Sequence, residues 1–119
     1  MTAPGFTYST QIKGDVFIIR AQGYLDEKGG TMVRQAVETA FPKGFQKFVL
    51  NLVDTPVINS MGVAQILETA ELVIDQRQGN LAFVGLNELT NGVFKMVGLL
   101  KMGKSFALEE EAIHFLSAS

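Results

Sequence analysis

Lys47-Phe-Val-Leu-Asn-Leu-Val-Asp54, followed at once by Thr55-Pro-Val-Ile-Asn-Ser-Met-Gly62, is the stretch whose reading decides the fold. The first half is a nearly continuous apolar run, centred on Phe48 to Val53, that ends on an acid. Such a run is expected of a strand covered on both faces. The second half reads as a tight connection that delivers Ser60 to a long amphipathic helix. Val63, Ile66, Leu67, Ala70, Val73 and Ile74 recur at helical spacing on one face, and Gly79-Asn80 supplies a stop signal. Ser60 is thereby placed at or next to the helix N-cap. There free N–H groups and the positive end of the helix dipole converge, so its hydroxyl can cap the helix or carry a phosphate.

Outward from this centre the chain alternates strands and helices. Phe6 to Ile12 and Asp15 to Gln22, divided by Gly14, predict an antiparallel hairpin. Gly23-Tyr-Leu-Asp26 leads into a helix with Val33, Ala36, Val37, Ala40 and Phe41 on one face, closed by Pro42-Lys43-Gly44. Asp26 is a natural N-cap for it. Leu81 to Leu86 predicts another buried strand. Asn87 to Leu100 predicts a third helix, with Leu89, Val93, Met96, Val97 and Leu100 aligned. Phe94 stands off that stripe and is read as core edge rather than as part of an exposed patch with Met61 and Met96. A short strand, Lys104 to Leu108, and a helix, Glu109 to Ser117, complete the order ββαβαβαβα: an α/β fold with a mixed β-sheet packed with amphipathic α-helices.

Composition narrows the function. The 119 residues are 47% hydrophobic and 18% charged, which excludes disorder and predicts a single domain over 1–119. A net charge of −2 without any Lys/Arg cluster gives no nucleic-acid footprint. The absence of cysteine removes disulfides, zinc–thiolate sites and thiol catalysis, and no His/Asp/Glu cluster suggests a metal. No apolar run is long enough to span a bilayer, so no membrane role and a cytoplasmic location are expected.

Three places then resemble the STAS domain family, the fold of bacterial anti-sigma factor antagonists, and they span nearly the whole chain. Gly23-Tyr-Leu-Asp26 is similar to the family's Gly-x-Leu-Asp strand ending. Asp54-Thr-Pro-Val-Ile-Asn-Ser-Met-Gly62 is similar to its strand end, loop and Asp-Ser-Ser/Thr-Gly phosphorylation motif. Val97-Gly-Leu-Leu100 through Phe106 to Glu109-Glu-Glu-Ala112 is similar to its C-terminal segment. The resemblance implies a STAS fold and matches Ser60 to the family's phosphoacceptor. It implies that Asp26, Asn59, Met61 and Gly62 belong to a partner-binding face. The implied partners are a kinase-type anti-sigma factor and a phosphatase, exchanged by partner switching; a homodimer is compatible with this reading. The chain departs from the motif at Asn59, where the family has an acid, and at Met61, where it has Ser or Thr. These departures keep open a STAS scaffold without a phosphoswitch, such as a subunit of a larger regulatory or transport assembly.

Enzymatic readings are weaker, and neither catalytic residues nor a cofactor are expected. Gly98-Leu-Leu-Lys-Met-Gly103-Lys104-Ser105 matches the Walker A pattern letter for letter. It lies at the end of a predicted helix and before a strand, whereas a phosphate loop follows a strand and opens a helix. A Ser60–His114–Asp54 triad lacks a nucleophile elbow. His114, the single histidine, is read as a surface or interface residue.

Overall fold

The computed structural model describes residues 5–118. A five-stranded sheet runs in the order β1-β2-β3-β4-β5. Its strands are β1 (Thr7–Lys13), β2 (Val16–Leu25), β3 (Lys47–Ile58), β4 (Asn80–Val84) and β5 (Lys104–Phe106). β1 and β2 form an antiparallel hairpin through the two residues Gly14 and Asp15, with Gly14 at φ +61°; the other pairs are parallel.

The central strands bury both faces over most of their length, which explains their nearly continuous apolar sequence, although Val53 at the end of the predicted run is 58% exposed. Ile19, Ala21, Phe48, Leu50, Leu52, Leu81 and Phe83 enter the larger core beneath α1 (Glu27–Ala40), α2 (Ser60–Glu71), α3 (Glu88–Met96) and α4 (Leu99–Met102). Val16, Ile18, Val49, Ala82 and Val84 point to the other face, where α5 (Glu109–Ser117) covers them with Ala112 and Leu116. Glu109 fastens the start of α5. Its carboxylate accepts hydrogen bonds from Arg20 Nε (2.9 Å), Arg20 Nη2 (2.7 Å) and Asn51 Nδ2 (2.7 Å). Arg20 and Asn51 are register partners on β2 and β3, so one side chain bridges both strands. Arg20's guanidinium, reinforced by Asn51, holds the Glu109 carboxyl below its ordinary range.

Three expectations from the sequence are corrected. The stretch after Asp54 is strand, not a tight connection. β3 continues to Ile58, paired with Leu25, because two register shifts against β2 absorb extra residues. Such bulges turn successive side chains to new faces, and Thr55 ends up 1% exposed between exposed neighbours.

The third helix is shorter than predicted and differently phased. α3 ends at Met96, Gly98 adopts φ +87°, and a separate short helix follows. Leu89, Met96 and Val97 are 55%, 82% and 41% exposed, while Phe94 is completely buried and meets Phe83 edge-on at 5.1 Å. The broken helix ends the periodicity that aligned Val97 and Leu100 with the earlier residues. Thr90 and Phe94, four positions apart, set the buried face instead. The end of the second helix also differs. A π-helical turn, Leu72–Gln76, follows α2, and the residue at positive φ is Gln78. Gly79 is needed for another reason: a side chain there would strike the Gln46 carbonyl, which accepts a hydrogen bond from Asn80 N–H (2.8 Å).

Candidate functional site at the strand ends

The parallel strands β2, β3 and β4 each run into a helix at the same end of the sheet, and each helix starts on a side-chain cap. Asp26 Oδ1 accepts from Gly29 N–H (2.8 Å) and Asn59 Oδ1 from Gly62 N–H (2.9 Å). Asn87 Oδ1 accepts from Thr90 N–H (2.8 Å). These caps satisfy amide groups that a helix start otherwise leaves free. Because Leu25 pairs with Ile58, the first two caps are neighbours, joined further by Asn59 N–H to the Leu25 carbonyl (3.1 Å). Asn87 Nδ2 also donates to the Pro56 carbonyl (3.1 Å), tying the start of α3 to the end of β3.

Ser60 occupies the first helical position of α2, one residue after the cap. The capping function falls to Asn59, and the exposed Ser60 hydroxyl makes no hydrogen bond among the described residues. A phosphate there would meet the first-turn N–H groups of α2 and its positive dipole end. Asn keeps the acceptor oxygen that the family's acid would provide, without its charge.

The remaining residues singled out in the sequence divide into two kinds. Asp26 and Asn59 are half-buried around the caps, and Met61 is 50% exposed beside Ser60. Gly62 is buried, and any side chain there would collide with the Leu25 carbonyl, so its role is to let α2 approach the end of β2. Sequence reasoning missed two surface members. Tyr24 (42% exposed) and Val57 (49% exposed) are register partners and form an exposed apolar pair on the last residues of β2 and β3 before the caps. Recognising that the strand continues through Val57 would have revealed them.

The rejected enzymatic constellations are not assembled. His114 lies on α5, across the sheet from α2, where it lines a groove with Phe106, Glu110 and Phe115. The Walker-like residues run from the end of α3 through α4 into β5, the reverse of strand, loop and helix. Among the described residues no helix is long and apolar enough to cross a membrane.

Known structures share this architecture. An anti-sigma factor antagonist from Mycobacterium paratuberculosis superposes with a TM-score of 0.82 at 17% identity, covering 98% of this chain and 99% of that one. The anti-sigma factor antagonist SpoIIAA in its unphosphorylated form gives 0.74 at 20% identity over 97% and 100% of the two chains. The Bacillus cell fate determinant SpoIIAA in its phosphorylated form gives 0.72 at 23% identity over 91% and 97%. At these identities the likeness is one of fold. The family model for the STAS domain matches residues 7–112, and the chain therefore belongs to the STAS domain family.

Proposed function

We propose that this chain, as a single STAS domain over residues 1–119, is a cytoplasmic anti-sigma factor antagonist that works by partner switching. In its unphosphorylated state it binds a kinase-type anti-sigma factor through the surface around Asp26, Asn59, Ser60 and Met61, with Gly62 seating the helix beneath them. The kinase transfers a phosphoryl group from ATP to the Ser60 hydroxyl, the complex dissociates, and a phosphatase restores the hydroxyl. The chain contributes the acceptor oxygen, while the transfer chemistry belongs to the partner.

The observation that carries this reading is the division of labour between adjacent residues. Asn59 caps α2, which leaves the Ser60 hydroxyl exposed and without a hydrogen bond among the described residues. Phosphorylation adds roughly −1.5 to −2 charges at neutral pH. Set beside the half-exposed, apolar Met61, that charge opposes the desolvation that docking requires. SpoIIAA, a protein of this fold, occurs in a phosphorylated form, and we extend phosphorylation to this chain.

The test measures binding to a kinase-type anti-sigma factor for wild type, Ser60→Ala and Ser60→Asp, with mass spectrometry of Ser60 after incubation with that kinase and ATP. Retention by Ala, loss by Asp and a phosphate on Ser60 are expected. Equal binding by all three refutes the switch and leaves a constitutive scaffold. ATP turnover by the chain alone refutes the division of roles.

A further inference from the structure

The two edges of the sheet are unequally protected. β5 is three residues long and opens with Lys104, two ordinary devices against edge pairing. β1 is seven residues long, Thr7-Tyr-Ser-Thr-Gln-Ile-Lys13, exposed throughout, with no proline and no charge before its last residue. No described residue pairs with its outer edge. From this strand we propose that a second copy of the chain docks edge to edge, β1 against β1, about a two-fold axis at Thr10.

The hairpin determines which backbone groups are free. A two-residue loop makes Lys13 and Val16 the closing hydrogen-bonded pair. Counting back along the ladder, Gln11, Ser9 and Thr7 turn their amide and carbonyl groups toward β2. Tyr8, Thr10 and Ile12 therefore turn theirs outward. Antiparallel self-pairing centred on Thr10 joins all of these outward groups: Tyr8 with Ile12 of the second copy, Thr10 with its own counterpart, and Ile12 with Tyr8. Each such pair exchanges two bonds, about six in all. Other self-pairing registers that match outward groups use fewer of them, because only a centre at Thr10 aligns all three.

Side chains agree with that register. Tyr8, Thr10 and Ile12 lie opposite Ala21, Ile19 and Phe17, so they share the sheet face that carries α1. Tyr8 and Thr10 line a cleft there with Phe17, Gln35, Ala36 and Thr39. Tyr8 is 38% and Ile12 55% exposed in one copy. In the paired strands each Tyr8 faces an Ile12, an aromatic–β-branched cross-strand contact. Lys13 faces Thr7 of the second copy, so no like charges oppose each other. This surface uses β1 and is independent of the Ser60 reading.

The register predicts a specific rescue. Thr10 is the one residue that meets itself, so Thr10→Lys places two cations opposite each other and Thr10→Glu two anions. Sedimentation equilibrium of the full chain across a concentration series should show a monomer–dimer equilibrium for wild type. Each variant alone should associate more weakly, on the order of tenfold. An equimolar mixture of the two should recover the dimer, which also shows that both are folded. A wild type monomeric at the highest attainable concentration overturns the proposal. So does a dimer indifferent to either charge, or a mixture that fails to recover it.

Discussion

Replacing Asn59 by Ala, beside Ser60→Ala, tests which of two adjacent residues holds the start of α2. Asn59 Oδ1 accepts the Gly62 amide at 2.9 Å, whereas the Ser60 hydroxyl holds nothing among the described residues. Loss of an N-cap acceptor costs about 1 kcal/mol, within a range of roughly 0.5–2. In a domain of this size that lowers the melting temperature by roughly 4 °C. Ser60→Ala removes an exposed group that makes no bond among the described residues and should stay within about 0.5 kcal/mol of wild type. Asn59→Asp retains the acceptor and adds a negative charge at the positive end of the dipole. It should match wild type or exceed it by about 0.3–1 kcal/mol, the gain shrinking with added salt. Urea unfolding followed by circular dichroism at neutral pH, with a common m-value, resolves these differences. If Ser60→Ala costs as much as Asn59→Ala, the cap has been assigned to the wrong residue, and the argument for a free Ser60 hydroxyl collapses with it.

Two further predictions concern the scaffold. The Glu109 carboxyl is held below its ordinary value of 4.5 by Arg20, so its contribution is complete above about 4.5 and is lost as pH falls through the depressed folded value. Glu109→Gln should cost about 1–2 kcal/mol at neutral pH, a figure already reduced because the Arg20 side chain is 37% exposed. Melting curves of variant and wild type should converge on acidification, whereas parallel curves would refute the coupling. Phe94→Ala should cost roughly 3–5 kcal/mol, because the ring is fully buried against Phe83. Met96→Lys, at an 82% exposed position, should change stability by less than about 0.5 kcal/mol; the reverse order in chemical denaturation would restore the phasing read from the sequence.

Most of the element order was legible because hydrophobic period is a local property. The run from Phe48 to Val53 reads as a two-sided strand without reference to any other part of the chain. The stripe from Val63 to Ile74 was equally plain: Val63, Ile66, Ala70 and Val73 are buried, with Leu67 and Ile74 packed against the same core. Asp26 as a cap was legible for the same reason, since capping needs only an oxygen and an amide three residues on. The third helix failed where local pattern was ambiguous. Leu89, Met96 and Val97 are as apolar as core residues, and only the break at Gly98 and the Phe83 ring decide that Phe94 goes inside.

The site divides along the same line. By itself the sequence determined that an acid, an asparagine and a serine stand where strands give way to helices, with a glycine two residues after Ser60. Tertiary structure decided what each one does. Pairing of Leu25 with Ile58 brings Asp26 and Asn59 together, although they are far apart in the chain. Bulges in β3 carry Val57 alongside Tyr24, creating an apolar surface that no local pattern announces. The choice of Asn59 over Ser60 as the cap is a matter of where the backbone turns from extended to helical, at Asn59 φ −122° and ψ 172°. Both residues carry a capping oxygen, so composition could not choose between them. The geometry of that turn chose, because β3 remains extended through Asn59 before the chain enters α2.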